Sequence, residues 1–371
     1  MRLLTIIGTR PQIVKAAALH RALQGHTDIQ AEMLYTGQHY DRNLSELLFD
    51  QLQLPHATYN LHVQATSHAE QTARMLAGIE TILEQQLYDG IIIYGDTNST
   101  LAGALAASQR NIPLFHIEAG LRSFNMTMPE EVNRIVSDHL SNVCYAPTEN
   151  AYRQLSRESI DDQRTTFSHG RKRAIVLSGD VMYDNSLYYT SQQEMVQQRL
   201  HPYGLDGREY ALATVHRAAN TDDPHRLKSI LDALVKIAQK EGIAMVLPLH
   251  PRTRKAMASI PITAAEGLML LPPQGYLDML ALESQARVIL TDSGGVQKEA
   301  YFMRRPCVIL REETEWTEIV SAGAACLAGD HTDTIISTYE SISKQPIEST
   351  QLFGDGHAAE LILAHIIKYL S

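Results

Sequence analysis

Residues 88–134 constrain the fold more than any other part of this chain: YDGIIIYGDTNSTLAGALAASQRNIPLFHIEAGLRSFNMTMPEEVNR. Ile91-Ile92-Ile93-Tyr94 is a continuous β-branched run, the pattern of a strand buried on both faces, and it stops at Gly95-Asp96. Leu101 to Gln109 is alanine-rich and helix-forming, with Asn98 or Ser99 as candidate caps. Asn111-Ile112-Pro113 breaks that helix, and Leu114-Phe115-His116-Ile117 is a second buried strand ending at Glu118-Ala119-Gly120. Such a β-α-β unit has parallel strands and a right-handed crossover. Asp96 and Glu118 therefore sit beyond the carboxyl ends of strands in one sheet, the edge where open α/β sheets bind ligands. Pro129 then opens a helix with Glu130 and Glu131 in its first turn, and Arg134 follows Glu130 by one turn on the same face. Acidic strand ends are common, and Glu130 or Glu131 could simply complement a helix dipole, so this stretch alone leaves catalysis and structure evenly matched.

At 371 residues the chain calls for two domains, and 44% hydrophobic with 20% charged residues suits a globular protein with two cores. A formal net charge of −10 argues against nucleic acid or an anionic membrane as partner. Cys144, Cys307 and Cys326 are far apart, with no metal-ligand spacing, and read as buried free thiols of a cytoplasmic protein. No apolar run is long enough to span a bilayer.

The same rhythm recurs along the chain. Leu3 to Ile7 is a strand leading into Gly8-Thr9-Arg10-Pro11-Gln12 and a helix, an anion site in waiting that is not a dinucleotide fingerprint. Ala31 to Tyr35 ends at Thr36-Gly37-Gln38-His39, and Val143 to Ala146 is a further strand. Residues 157–173 turn polar and charged, which places the domain boundary there: 1–170 for the first domain, 171–357 for the second, with a helix at about 358–371 packing back on the first. In the second half, Tyr210 to Val215 ends at His216-Arg217, Ala244 to Leu249 at His250, and Val288 to Leu290 at Thr291-Asp292-Ser293-Gly294-Gly295. In this last turn two glycines let backbone amides approach a diphosphate, the following helix adds favourable potential, and Glu299 is placed to accept ribose hydroxyls. The bland alternative is an ordinary strand–helix turn, and a lone His216 is more often structural than functional.

Taken together, these segments resemble the non-hydrolysing UDP-N-acetylglucosamine 2-epimerases. The likeness is carried by Gly8-Thr9-Arg10-Pro11, Gly37-Gln38-His39, Gly95-Asp96-Thr97, His116 through Arg122, Pro129-Glu130-Glu131 with Asn133-Arg134, His216-Arg217, Leu290 through Gly295, Thr314-Glu315 and Gly354-Asp355-Gly356, nearly the whole chain in order. The resemblance implies an α/β fold of the GT-B type, two Rossmann-like doubly wound domains with an interdomain cleft. It implies a catalytic set matching Asp96, Glu118, Glu130 and His216, and UDP contacts matching Arg10, Ser293, Gly294, Gly295 and Glu299. Arg134, Gln38 and Arg217 are then expected to bind the substrate. It further implies no bound cofactor, no metal, a UDP-sugar as substrate and a homodimer. Many members carry Glu at position 12 and Arg at 316, where this chain has Gln12 and Trp316. The runs 123–125, 250–254 and 314–316 are closer to a sister branch that inverts C2 of UDP-2,3-diacetamido-2,3-dideoxyglucuronate.

Overall fold

The computed structural model describes all residues except 39–41, 163–166, 168–169, 259, 261–266 and 348–350. The chain divides into two compact units, Met1–Asn185 with Gln351–Ser371, and Ser186–Thr350.

The first unit is built on a parallel sheet of β1 (Arg2–Ile7), β2 (Gln30–Tyr35), β3 (Tyr59–Asn60), β4 (Gly90–Tyr94), β5 (Leu114–Ile117), β6 (Val143–Ala146) and β7 (Ala174–Leu177). Its order is β3-β2-β1-β4-β5-β6-β7, so the winding reverses between β1 and β4. That reversal opens a crevice beyond the carboxyl ends of the two strands, where ligands bind in doubly wound sheets. Ile91, Ile92, Ile93 and Tyr94 are all fully buried, as the unbroken apolar run predicts. The helix Asn98–Gln109 is capped by Thr97, whose hydroxyl accepts from the Thr100 amide, and not by Asn98 or Ser99. Those two side chains are engaged elsewhere: Asn98 donates to Gln71 (2.7 Å), and Ser99 to Gln38 (2.8 Å).

The strand at 174–177 corrects the boundary expected near 170. It pairs in parallel with β6, from Val143↔Ala174 to Ala146↔Leu177, and so completes the first sheet instead of opening the second. Local sequence marks it as a strand; only pairing with β6 assigns it to a unit. The helix Ala358–Leu370 packs on the first unit's helix Arg10–Leu23, and Tyr145 and His365 meet at 3.1 Å.

Asp184 starts this terminal helix by accepting the N–H groups of Ala358 (3.1 Å) and Ala359 (2.7 Å). Burial outweighs those bonds and pushes its carboxyl up to about 6. Because the folded value lies above the ordinary one, this group's contribution is fully present below about pH 4 and is lost as pH rises through about 6. The loss is on the order of 3 kcal/mol. Urea titrations of native protein and Asp184→Asn between pH 4 and 7 are expected to show this decline in the native protein alone; parallel curves would exclude it.

The second unit repeats the plan with β8 (Tyr210–Thr214), β9 (Ala244–Pro248), β10 (Leu268–Leu271), β11 (Ile289–Thr291), β12 (Cys307–Ile309) and β13 (Ala325–Leu327). The order β10-β9-β8-β11-β12-β13 places its reversal between β8 and β11. Its core joins Ala211, Ala213 and Leu290 of the sheet to Leu227, Leu231 and Leu234 of the helix Pro224–Glu241. Cys144 and Cys307 are buried, while Cys326 is only half-buried; all three are free. No described helix is long and apolar enough to cross a membrane.

Candidate active site

In the first unit, register decides which turns meet. Tyr94 lies beside Ile117 in the β4–β5 pair, and the Gly95 amide donates to the Ile117 carbonyl at 2.9 Å. Gly95-Asp96 and Glu118 thus leave the sheet side by side. Glu118 has a left-handed backbone (φ +63°), sparsely populated for a residue with a Cβ and a strain that concentrates at functional sites.

Each carboxylate has its own cation instead of crowding against the other. Glu118 is ion-paired with Lys15, one turn into the helix that follows β1, and both side chains are mostly buried. Asp96 is ion-paired with Arg134. Arg134 also pairs with Glu131, three residues back, so the salt bridges of this arginine run to Asp96 and Glu131 and not to Glu130. Glu131 is almost fully buried and accepts from the Ser123 amide (2.9 Å), the Ser123 hydroxyl (3.0 Å) and the Phe124 amide (2.9 Å). Burial works against its charge, but these donors and Arg134 hold its carboxyl below the usual glutamate range. Glu131 therefore fastens the loop after Glu118, whereas Glu130 is exposed on the first turn of the helix Pro129–Leu140. Asn133 completes the support by donating to the Asp96 carbonyl at 3.0 Å.

The turn after β1 is tied to the same edge by Gln12. Its side-chain oxygen accepts from the Gly8 (2.8 Å) and Thr9 (3.2 Å) amides, while its nitrogen donates to the Tyr94 carbonyl (2.8 Å) and the Thr100 hydroxyl (3.0 Å). Arg10 is exposed at the start of the helix Arg10–Leu23. Gln38 accepts from the Ser99 amide (3.2 Å) and hydroxyl (2.8 Å); His39 lies outside the described residues.

The second unit has a polar cluster at its own reversal. Asp292, fully buried after β11, accepts the amides of His216 (3.0 Å) and Arg217 (2.9 Å) and the side chain of Asn220 (3.1 Å). It lies 3.5 Å from His216 Nδ1, and the His216 ring stands against that of His250 with centroids 5.5 Å apart. Burial, then the neighbouring His216 and Arg252, lower the pKa of His250. Ser293 caps the helix Gly294–Phe302, with its hydroxyl accepting from the Val296 amide. A Cβ on Gly294 would meet Glu315 Oε1, so the bare glycine lets that carboxylate lie close against the turn. Glu315 also pairs with Arg217 (3.3 Å) and Arg311 (2.7 Å), while Gly295 is exposed and Glu299 half-buried one turn on. A capped helix N-terminus behind a glycine turn is a preformed anion site.

Residues 21–367 match the family described as UDP-N-acetylglucosamine 2-epimerase. The chain belongs to this family. It is 43% identical to the UDP-2,3-diacetamido-2,3-dideoxy-D-glucuronate 2-epimerase of Pseudomonas aeruginosa, over 99% of this chain and 100% of that one. Among solved structures it is similar to Methanocaldococcus jannaschii UDP-GlcNAc 2-epimerase in complex with UDP-GlcNAc and UDP (37% identity, TM-score 0.83), covering 99% of this chain and 100% of that one. UDP-GlcNAc 2-epimerase from Neisseria meningitidis bound to UDP-GlcNAc is similar at 30% identity and TM-score 0.83, with the same coverage. The two parallel sheets are those of a GT-B-like α/β protein.

Within the epimerase family, Gln12 and Trp316 stood out in the sequence as departures. Both are buried: Gln12 is the clamp just described, and Trp316 packs under the Lys298 ammonium, 4.7 Å from its ring. Sequence reading missed Lys15, Glu131 and Asp292 as site residues. Asp292 had a signal, since it precedes the Ser293-Gly294-Gly295 turn; Lys15 had none, standing between Val14 and Ala16 in an apolar helix.

Proposed function

We propose that this enzyme inverts C2 of a UDP-2-acetamido sugar without hydrolysing it, by eliminating UDP and adding it back. The observation that carries the reading is the adjacent pair of acidic turns after β4 and β5, each carboxylate held by its own cation, Asp96 by Arg134 and Glu118 by Lys15. C2 of an acetamido sugar has no neighbouring carbonyl, so its proton is not acidic in the ground state. As the C1–O bond breaks, its electron pair leaves on the UDP oxygen and C1 becomes cation-like. A carboxylate then takes the C2 proton, and the C–H electrons form the C1=C2 bond of a 2-acetamidoglucal. Protonation of C2 from the opposite face, with return of the UDP oxygen to C1, gives the epimer. The sequence needs a base and an acid on opposite faces of the ring. Asp96, Glu118 and Glu130 are assigned these roles. Ser293, Gly294, Gly295 and Glu299 are assigned to the nucleotide, with Arg10, Arg217 and His216 stabilising the departing diphosphate; Gln38 and Arg134 are assigned to the sugar.

The test is NMR of UDP-N-acetylglucosamine with enzyme alone in heavy water. Deuterium is expected at C2 of the product and, on prolonged turnover, of both epimers. Complete epimerisation with hydrogen retained at C2 refutes elimination. If both UDP-N-acetylglucosamine and the diacetamido uronate stay unchanged without an acceptor, a glycosyltransferase on the same fold is favoured.

The identity to the Pseudomonas aeruginosa enzyme favours a second reading, in which the sugar is a diacetamido uronate. Parallel assays are expected to give higher kcat/KM for the uronate; equal or better turnover of UDP-N-acetylglucosamine removes this reading and leaves the first intact.

A further inference from the structure

Behind the two acidic turns lies a chain of polar groups, buried except at its Glu158 end, that the proposed chemistry does not use. His116, on β5, has no exposed surface; its Nδ1 is 2.7 Å from Asp138 Oδ1 and its Nε2 is 2.7 Å from the Gly95 carbonyl. Asp138, equally buried on the helix Pro129–Leu140, accepts the Gly120 amide at 3.2 Å and lies 2.6 Å from Arg122 Nη1 through the same oxygen. Arg122 then forks onto Glu158, Nε to Oε1 at 2.8 Å and Nη2 to Oε2 at 2.6 Å. Burial alone would raise the Asp138 pKa, but His116 and Arg122 outweigh it and hold the carboxyl below the usual aspartate range.

The ends of this chain are what matter. Gly95 immediately precedes Asp96, and Gly120 follows Glu118 by two residues. Glu118 (φ +63°) holds a left-handed backbone that a residue with a Cβ adopts only under outside constraint, whereas Gly95 (φ +62°) and Gly120 (φ +84°) take that region freely and leave their turns to be fixed by contacts. A Cβ at Gly120 would meet the Ala151 carbonyl and the Leu155 side chain, which shows how closely this turn is seated.

We propose that His116 and Asp138 are positioning residues for the two acidic turns. Asp138 holds the turn after Glu118 through the Gly120 amide, and reaches the turn before Asp96 through the His116 ring and the Gly95 carbonyl. One carboxylate thereby sets the spacing of two others. The inference rests on the epimerase reading above. The essential bond is His116 Nε2–H to the Gly95 carbonyl; the Asp138 charge serves chiefly to keep the ring in place and donating.

This distinction makes activity and stability respond differently. In His116→Gln the side-chain amide can occupy the place of Nε2 and still donate to Gly95, but the bond to Asp138 is lost. In His116→Asn the amide takes the place of Nδ1 and keeps the charge-assisted bond to Asp138, the stronger of the two, while Gly95 is released. Asp138→Asn can donate to Nδ1 and so keep the ring in the Nε2–H tautomer. Steady-state epimerisation, urea midpoints and UDP affinity are to be measured on each full-length variant. His116→Gln and Asp138→Asn are expected to hold kcat within about fivefold of native; His116→Asn is expected to lose about 10- to 100-fold in kcat, the scale of a displaced catalytic group, with KM and UDP affinity within about threefold. The urea midpoint of His116→Asn is nevertheless expected to exceed that of His116→Gln. If kcat and midpoint fall in the same order, the chain is structural only and the proposal fails. Should His116→Asn not fold, Asp138→Asn against Asp138→Ala decides: Asn is expected to retain kcat where Ala loses it, and equal losses overturn the proposal. Absence of C2 labelling by the native enzyme with both UDP-N-acetylglucosamine and the diacetamido uronate removes the epimerase reading and this inference together, whereas normal labelling of either with coincident orders removes only the inference.

Discussion

Asp96→Asn and Glu118→Gln are each expected to slow C2 epimerisation and C2 deuterium exchange by about 100- to 10,000-fold, the span of lost acid–base catalysis. UDP affinity is expected to stay within about threefold, because Ser293, Gly294, Gly295 and Glu299 belong to the other compact unit. The two variants differ in a way that makes the comparison informative. Glu118→Gln leaves the Lys15 ammonium, mostly buried, without its partner, and an uncompensated buried charge destabilises the fold as well as removing a base. Lys15→Met combined with Glu118→Gln is therefore expected to regain stability while remaining inactive. Asp96 is more open and its partner Arg134 keeps Glu131, so Asp96→Asn loses activity with little change in stability. NMR of UDP-sugar turnover in heavy water, with isothermal titration of UDP, separates these effects. Undiminished epimerisation in both variants would refute the assignment of these carboxylates.

The largest stability effect is expected at Arg122. Its guanidinium is all but fully buried between Asp138 and Glu158, and the Leu121 carbonyl accepts a further bond at 2.7 Å. Arg122→Ala strands Asp138 in the interior with one donor group fewer, and losing one member of a buried ion pair costs about 3–5 kcal/mol. For a unit of this size that is a fall in melting temperature of roughly 10 °C. Circular dichroism is the appropriate probe, since the single tryptophan, Trp316, lies in the other unit. A fall of under about 2 °C would mean that solvent or Glu158 rearrangement replaces the lost contacts. Arg122→Lys is expected to recover only part of the loss, because a single ammonium cannot fork onto Glu158 and reach Asp138 at once.

What the sequence by itself determined is the periodic part of the protein. Runs such as Ile91 to Tyr94 and Leu114 to Ile117 have the length and β-branched or aromatic content of buried strands, and the breaks at Gly95-Asp96 and Glu118-Ala119-Gly120 place acidic side chains at the ends of those strands. The order of such segments, with the glycine turn at 293–295, was enough to bring the epimerase family into view. Three things were decided by tertiary structure. The strand at 174–177 is apolar in either context, and only its pairing with β6 assigns it to the first unit. Within the run from His116 to Arg122, side-chain type does not tell which residues are presented and which are entombed: His116 and Arg122 are buried because Asp138, 22 residues beyond His116, returns along a helix to meet them. Glu130 and Glu131 are neighbours of identical chemistry, yet one is exposed and the other is locked under Arg134, because a helix turns successive residues about 100° apart. Local hydrophobic pattern reports what a segment can become, while desolvation and ion pairing depend on partners distant in the chain, and it is these that sort otherwise equal carboxylates into supports and candidate catalysts.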